Sequence, residues 1–207
     1  MAKGWLMNLN ITQKSFIIVF LVLLADQVLK IWVKTNMVLG QEISLVGDRA
    51  LIHFTENNGM AFGYELGGEY GKIILSLFRI VAVAGIIWYM KHLVDQKAPR
   101  GLVLSIALIL GGAIGNIIDS TFYGLIFTDS YFTTAEAFPD GGGYAPLLHG
   151  KVVDMLYFPV LQGNWPDWVP LFGGNRFIFF RPVFNIADTA ITTGVAITLI
   201  FYRKYFK

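Results

Sequence analysis

Four apolar stretches, each with polar residues near one end, constrain this chain more than any other feature. They lie at about 15–33, 73–90, 101–118 and 184–202. Each approaches the length of about 20 residues that a helix needs to cross the hydrocarbon of a bilayer. Charged residues make up only 14% of the 207 residues, against about 25% in soluble domains. The sequence therefore predicts a polytopic α-helical membrane protein, with four transmembrane helices and a single domain over 1–207.

The polar ends of the four stretches predict one shared site. In an antiparallel bundle of four helices, these ends all fall on the same side of the membrane. The residues concerned are Asp26, Lys30, Arg79, Asn116, Asp119, Asn185 and Asp188.

Charge predicts which side that is. The opposite ends carry eight basic residues and a single acid, Asp95, while the other thirteen acids lie on the polar side. Cytoplasmic loops are the ones enriched in Lys and Arg. Both termini are therefore expected in the cytoplasm and the polar ends outside. The first apolar run, 16–25, lies far from the start and lacks a cleavage pattern, so we expect a retained span and not a signal peptide.

The external segments, 34–72 and 120–182, predict a small β structure. Residues 43–46 and 50–55 flank Gly47, Asp48 and Arg49, which suits a hairpin. Residues 152–158 are expected to be extended. Trp165 and Trp168 are expected at the lipid interface, where Trp is enriched.

Two acids suggest the chemistry. Asp188 opens the last apolar stretch, and Asp154 is flanked by Val, Met and Leu. Two carboxylates that converge at a membrane edge cannot easily both ionise. The pKa of one of them therefore rises, and the pair shares one proton. One carboxylate then activates water as a general base, and the protonated partner polarises a scissile carbonyl. An alternative pairs Asp188 with Asp119, because both lie at helix ends.

Several of the polar residues also have a structural interpretation. Asp26 and Lys30 are spaced as an i,i+4 ion pair. Gly111, Gly112 and Gly115 favour close helix packing. Asn57, Asn58 and Gly59 are typical of a turn. Arg79 either extends to the interface or meets an acid of another helix.

Metal and cofactor chemistry finds little support in the sequence. There is no cysteine, and the three histidines are widely scattered. We therefore expect no metal and no cofactor. Nucleic acid is not an expected partner either, because the basic clusters are short and lack interleaved aromatic residues.

Five motifs in order resemble lipoprotein signal peptidase, also called signal peptidase II, an intramembrane aspartic peptidase family. Residues 26–30 resemble its DQxxK box, 57–62 resemble NxGxAF, 111–119 resemble GGAxGNxxD, 152–154 resemble VVD, and 184–188 resemble FNxAD. Each motif alone is weak, but together they span the chain at the outer ends of the four stretches.

The resemblance implies four transmembrane helices, a small external β-cradle and a short interfacial helix. It implies that Asp154 and Asp188 are the catalytic acids. It also implies support of the site or substrate by Asp26, Lys30, Asn57, Gly59, Asn116 and Asn185. The implied reaction removes the signal peptide of a diacylglyceryl-modified prolipoprotein, just before the lipid-modified cysteine. The implied location is the bacterial cytoplasmic (inner) membrane, and nothing requires more than a monomer.

Two departures from the family pattern stand out. Ser120 stands where the family usually has Arg directly after GNxxD. Arg181 or Arg79 is the candidate replacement for that cation. Asp119 is then expected as a structural acid, paired with Lys151 or Arg181. The segments on either side of Asp154 are also long, and we expect them to form an external lid, so that deleting 138–143 alters substrate capture and leaves the fold intact.

Two other functions compete with this one. A small carrier would also need intramembrane charges, but no span is broken at its centre and no inverted repeat is visible. A structural membrane subunit would pair its acids across helices, and it would tolerate Asp→Asn at 154 and 188.

Overall fold

A computed structural model describes residues 9–58, 68–159, 161–179 and 182–206. Gly59, Arg181 and the basic residues Lys3 and Lys207 lie outside these ranges. The described chain contains the long helices α1 (Ile11–Asn36), α2 (Gly68–Asp95), α3 (Arg100–Ile118) and α4 (Ile186–Phe201). One π turn, Asp119–Tyr123, and the short helix Gly124–Ile126 extend α3 outward.

Three of these helices are long and apolar enough to cross a membrane: Ile11–Asn36, Gly71–Asp95 and Arg100–Ile126. Each covers a stretch predicted as a span. The fourth, α4, is apolar but has only 16 residues. At 1.5 Å per residue it is about 24 Å long, somewhat less than the ~30 Å of bilayer hydrocarbon. The predicted stretch 184–202 is shorter as a helix because Val183 and Phe184 form a strand.

Helix α3 lies at the centre of the bundle, against α1, α2 and α4. Its glycines allow this close approach. A Cβ on Gly111 would lie 3.0 Å from Val22 Cβ of α1, and a Cβ on Gly112 would collide with the carbonyl oxygen of Ala187 in α4. The predicted packing role of these glycines is confirmed. Helix α2 instead exposes large apolar side chains such as Phe78 and Trp88, each 68% exposed, as a lipid-facing helix does.

Beyond one end of the helix bundle lies a sheet of four antiparallel strands. In spatial order they are β1 (Glu42–Val46), β2 (Ala50–Asn57), β3 (Val152–Tyr157) and β6 (Val183–Phe184). Strands β1 and β2 form the predicted hairpin, and β3 is the predicted extended segment. Strand β6 pairs with β3 and leads directly into α4. The sheet therefore joins β3, which carries Asp154, to the helix that carries Asp188.

The segment between α3 and β3 packs against the sheet and forms a hydrophobic core with it. Tyr123, Phe127 and Ala135 are buried there beside Phe54 of β2 and Met155 of β3. The backbone N–H of Phe138 donates to Ile126 O at 2.7 Å, and that of Tyr144 donates to Phe127 O at 2.9 Å. These contacts fix both ends of the turn 138–143 on the core, so this turn has the contacts of a packed loop.

A second hairpin leaves the sheet between β3 and β6. Its strands are β4 (Leu161–Asn164) and β5 (Arg176–Phe179), which pair antiparallel. Its tip carries Trp168, 81% exposed, and Leu171, 93% exposed. The short interfacial helix implied by the resemblance is not among the separate elements of the described ranges.

Candidate active site

Asp188 is positioned by the first turn of α4. Asn185 is the N-cap of this helix, and its Oδ1 accepts a hydrogen bond from the Asp188 N–H at 2.8 Å. Asn is among the preferred N-cap residues because its side chain satisfies an N–H that has no helical partner. The helix dipole favours negative charge in this first turn. The sequence therefore places the Asp188 carboxylate at the positive end of the dipole of α4.

Asp154 lies in β3 and is only 4% exposed. Its Oδ1 accepts a hydrogen bond from Asn185 Nδ2 at 2.7 Å. Asn57, at the end of β2, directs Nδ2 to Asp154 Oδ2 at 3.5 Å. Asn185 thus begins the helix of one acid and holds the carboxylate of the other.

Asn116 of α3 completes the link between the two acids. Its Nδ2 donates to Asp188 Oδ1 at 2.8 Å, and its Oδ1 accepts from Asn185 Nδ2 at 3.1 Å. Lys30 Nζ donates to the same Oδ1 at 2.9 Å. The two carboxylates are therefore connected through two amide side chains whose orientations fix each other.

A buried ionic cluster lies directly beneath this pair. Lys30 Nζ is 2.8 Å from Asp26 Oδ2 and 2.8 Å from Asp119 Oδ2, and all three side chains are fully buried. The predicted Asp26–Lys30 ion pair is confirmed. Burying charges is costly unless they are paired and hydrogen-bonded, so these three residues depend on one another.

Each acid of the cluster also holds one segment of the site. Asp26 Oδ1 accepts from the N–H of Ala187, in the first turn of α4, at 2.9 Å. Asp119 Oδ2 accepts from the N–H of Val153, next to Asp154, at 3.2 Å. The cluster thus fixes the backbone beside both Asp188 and Asp154.

Gln27 and Tyr123 belong to this cluster, and sequence reasoning did not single them out. Gln27 Nε2 donates to Asp119 Oδ1 at 3.0 Å and to Asp26 Oδ2 at 3.1 Å. Tyr123 Oη donates to Gln27 Oε1 at 3.1 Å. Gln27 could have been predicted from its position in the DQxxK motif, whereas no sequence pattern indicated Tyr123.

The expected pairing of Asp119 with Lys151 is wrong. Lys151 Nζ instead contacts Glu56 Oε2 at 3.2 Å, and Lys34 Nζ binds the other oxygen of Glu56. Lys34 is fully buried because α1 continues to Asn36, beyond the predicted span end near 33. Lys151 therefore pairs with Glu56 of β2, and Lys30 is the cation that pairs with Asp119. The alternative partner, Arg181, lies outside the described residues.

Arg79 lies beside Ser120, where the family usually has arginine. Its Nη1 donates to Ser120 Oγ at 3.0 Å, and Ser120 Oγ donates to the carbonyl oxygen of Asn116 at 3.0 Å. Arg79, Asn116 and Asp188 line one cavity of about 280 Å³ between α2, α3 and α4. Arg79, one of the two arginines suggested as a replacement, therefore extends from α2 to the position of Ser120.

Burial and charge tune the acidity of Asp154. Burial, followed by the negative charge of Asp188, raises the pKa of the Asp154 carboxyl to about 7. Lys30 and the donors Asn57 and Asn185 act in the opposite direction. Near neutral pH, Asp154 can therefore carry a proton beside Asp188, which is the arrangement that acid–base catalysis by two carboxyl groups needs.

Within the described ranges, the expected site residues converge on one end of the bundle. They are Asp26, Lys30, Asn57, Arg79, Asn116, Asp119, Asp154, Asn185 and Asp188. Gly59 stays a prediction, since it lies outside these ranges. No cluster of three or more His, Asp or Glu side chains suited to a metal ion occurs in the described part of the chain.

Known proteins resemble this chain in fold and in sequence. A solved bacterial membrane enzyme matches 93% of this chain and 88% of its own, with a TM-score of 0.58 and 23% identity. A lipoprotein signal peptidase from Porphyromonas gingivalis is 51% identical over 188 residues, covering 90% of this chain and 81% of the relative. One from Amoebophilus asiaticus is 40% identical over 190 residues, covering 90% of this chain and 76% of the relative.

A model of the family described as "Signal peptidase (SPase) II" matches residues 18–204. That range contains both carboxylates, the amide link between them and the ionic cluster beneath. With this match and a relative 51% identical over 188 residues, the chain belongs to the signal peptidase II family.

Proposed function

We propose that this protein removes the signal peptide from diacylglyceryl-modified prolipoproteins, cleaving just before the lipid-modified cysteine. The observation that carries the proposal is the hydrogen-bonded link from Asp154 through Asn185 and Asn116 to Asp188. It holds two acids of unlike environment at one end of a membrane bundle. Relatives carrying the name lipoprotein signal peptidase support the substrate class.

The two environments suggest separate roles. The Asp188 carboxylate lies in the first turn of α4 and accepts a hydrogen bond from the Asn116 amide, so we assign Asp188 as the base. It takes a proton from a water molecule whose oxygen attacks the scissile carbonyl carbon. Asp154, with a pKa of about 7, gives its proton to the carbonyl oxygen. When the tetrahedral intermediate collapses, Asp188 passes its proton to the departing nitrogen, and Asp154 recovers one from a hydroxyl group.

Asp154 is a better partner for Asp188 than Asp119 is. The two oxygens of Asp119 bind Lys30, Gln27 and the N–H of Val153. These contacts support a positioning role for Asp119. The link through the amides of Asn185 and Asn116 connects Asp188 to Asp154 instead.

The surroundings of Asp188 suit a substrate that arrives from the bilayer. A second cavity of about 450 Å³ borders Asp188 and runs along α4 and β6, lined by Pro182, Phe184, Thr189, Thr192 and Thr193. Together with the cavity beside Arg79, it borders Asp188 along the first half of α4. Apolar walls beside a hydrolytic pair fit acyl chains and an apolar signal peptide.

The proposal includes a location and a topology. Four transmembrane helices, with α4 as the short one, lie in the bacterial inner membrane. Both termini face the cytoplasm, and the dyad, the external sheet and the second hairpin face outward. The monomer is the proposed catalytic unit, because both acids and their partners come from one chain.

Cleavage of a diacylated prolipoprotein peptide by purified protein in detergent tests the proposal. Asp154→Asn and Asp188→Asn are expected to lose roughly 10²–10⁴-fold in turnover, the usual contribution of acid–base catalysis, while still melting cooperatively. The matched control is Asp119→Asn, which is expected to melt at a lower temperature and to keep cleaving.

Three results would contradict the proposal. Folded wild type that leaves the lipidated peptide intact would reopen the carrier function. Turnover that survives Asp154→Asn but is lost in folded Asp119→Asn would show that the catalytic partner of Asp188 is Asp119. Equal cleavage of a peptide without the diacylglyceryl group would remove the lipid from the specificity.

A further inference from the structure

A cavity lies at the end of the bundle opposite to the two carboxylates. Its volume is about 390 Å³, and it is formed by the start of α1, the end of α2 and the start of α3. The residues that line it are Leu9, Asn10, Ile11, Lys14, Val94, Lys97, Ala98, Arg100 and Val103. None of these residues has a part in the proposed catalytic site.

Three cations line this cavity, and no acid does. Lys14 comes from the first turns of α1, whereas Lys97 and Arg100 lie close together where α2 ends and α3 begins. In the described ranges, none of the three makes an ion pair with a carboxylate, since the described pairs all lie in the external half of the molecule. Asp95, the acid nearest in sequence, is exposed and does not line the cavity. The cavity therefore has a positive lining that an anion would neutralise.

Lys97 adopts a conformation that a lysine does not favour. Its φ is 53°, in the left-handed region. Its N–H donates to Val94 O at 3.0 Å, and the N–H of Ala98 donates to Leu93 O at 2.9 Å. This is the Schellman motif that ends many helices, and its left-handed position is usually glycine. A lysine here costs backbone strain, so its side chain, which lines the cavity, is the feature to explain.

The other walls of the cavity are apolar. Ile11, Val94 and Val103 belong to or pack against the cluster of buried Leu93, Leu102 and Ile106, and the cavity lies where three membrane helices begin or end. Basic pockets between transmembrane helices on the cytoplasmic side are suited to anionic lipid headgroups. A free phosphate ion would use the cations but not the apolar walls.

We propose that this cavity binds one anionic phospholipid of the cytoplasmic leaflet, with its phosphate between Lys14, Lys97 and Arg100 and its acyl chains beside the apolar walls. This site is separate from the proposed peptidase site at the opposite end. Its test is a binding measurement, so its failure is distinguishable from failure of the proposed cleavage.

The test uses the full chain in phosphatidylcholine nanodiscs, titrated with a fluorescent phosphatidylglycerol. Wild type is expected to show saturable binding of one lipid. Lys14→Gln and Lys97→Gly are each expected to weaken it about tenfold. Lys97→Gly is the sharper variant, because glycine suits the left-handed position. In phosphatidylcholine alone, this variant is expected to melt at or above the wild-type temperature.

The matched controls are Lys91→Gln and Lys204→Gln. Both lysines are exposed and do not line the cavity, so binding is expected to stay at the wild-type level. Wild-type binding by Lys97→Gly would overturn the proposal, as would an equal loss in the controls, which would indicate diffuse surface charge. Displacement of the lipid by millimolar inorganic phosphate would also overturn it, in favour of a free phosphate site.

Discussion

Lys30 neutralises two buried acids at once, and this makes it the residue on which the site most depends. Its amino group also binds Asn116, which holds Asp188. Removing the lysine would leave two fully buried carboxylates without a cation, whereas removing Asp119 would leave the pair Asp26–Lys30 intact.

Lys30→Met is therefore expected to destabilise the protein by about 3–5 kcal/mol, the usual cost of breaking a buried ion pair. Asp119→Asn is expected to cost less, because Asn can still accept the hydrogen bond of Val153. Thermal unfolding in one detergent measures both. The electrostatic account fails if Asp119→Asn melts as low as Lys30→Met.

Asp154 ties stability to pH with a definite sign. Its pKa is about 7 in the folded chain and about 4 in an unfolded one, so the folded state holds an extra proton between these values. Stability then falls as pH rises through this window. Asp154→Asn does not titrate, so its stability relative to wild type is expected to rise between pH 4 and pH 8, by up to about 4 kcal/mol.

Melting curves of wild type and Asp154→Asn across that pH range provide the measurement. Asp140→Asn, at an exposed acid of the external turn, is the control and is expected to follow wild type. A difference between wild type and Asp154→Asn that stays constant with pH would show that the Asp154 carboxyl is not tuned by burial.

Most of the residues that the structure brings together at one end of the bundle were predicted from the sequence, because they occur in motifs with a chemical purpose. Asp188, Asn116 and Asn185 follow from spacing at helix ends and from the resemblance, and Asp154 follows from its apolar neighbours in sequence and from the resemblance. The partner of Lys151 did not follow, because Glu56 and Lys34 meet it only when α1 runs past the predicted end of the span. Side-chain partners across a fold depend on where each element ends, which local patterns specify least well.

Among the elements, the hairpin of β4 and β5 is the main candidate for a flap over the site. It leaves the sheet between β3, which carries Asp154, and β6, which leads into α4. The turn 138–143 is held at both ends by hydrogen bonds to Ile126 and Phe127, in the segment that follows α3. The sequence predicted Trp165 and Trp168 at the lipid interface here, but it predicted neither strand of this hairpin, since strand pairing depends on contacts beyond the local sequence.

Trp168→Ser with Leu171→Ser is expected to leave the melting temperature unchanged, because both side chains are more than 80% exposed. We expect the KM for a lipidated substrate in vesicles to rise, since an apolar tip at the outer surface contacts lipid or substrate. Phe132→Ser, at a 93% exposed position outside the hairpin, serves as the control. An unchanged KM in the double variant would exclude a role for the tip in substrate capture.

On the scale of the whole molecule, the arrangement of charge predicts the orientation in the membrane. The protein contains no cysteine, so single cysteines can be introduced without background. Asp140→Cys is expected to react with a membrane-impermeant maleimide in intact spheroplasts, and Gln96→Cys only after lysis. Labelling of Gln96→Cys in intact spheroplasts would reverse the proposed topology.

The position of Ala187 has a consequence for how the protein is made. Asp26 and Lys30 leave the ribosome with the first helix. The Ala187 N–H, which donates a hydrogen bond to Asp26 Oδ1, and the carboxylate of Asp188 both belong to the last helix. A nascent chain that has inserted only three helices therefore has an ionic cluster in which Asp26 lacks the hydrogen bond from Ala187, and the proposed dyad lacks Asp188. On the proposed function, a chain therefore acquires its complete catalytic pair only when its last helix has been made.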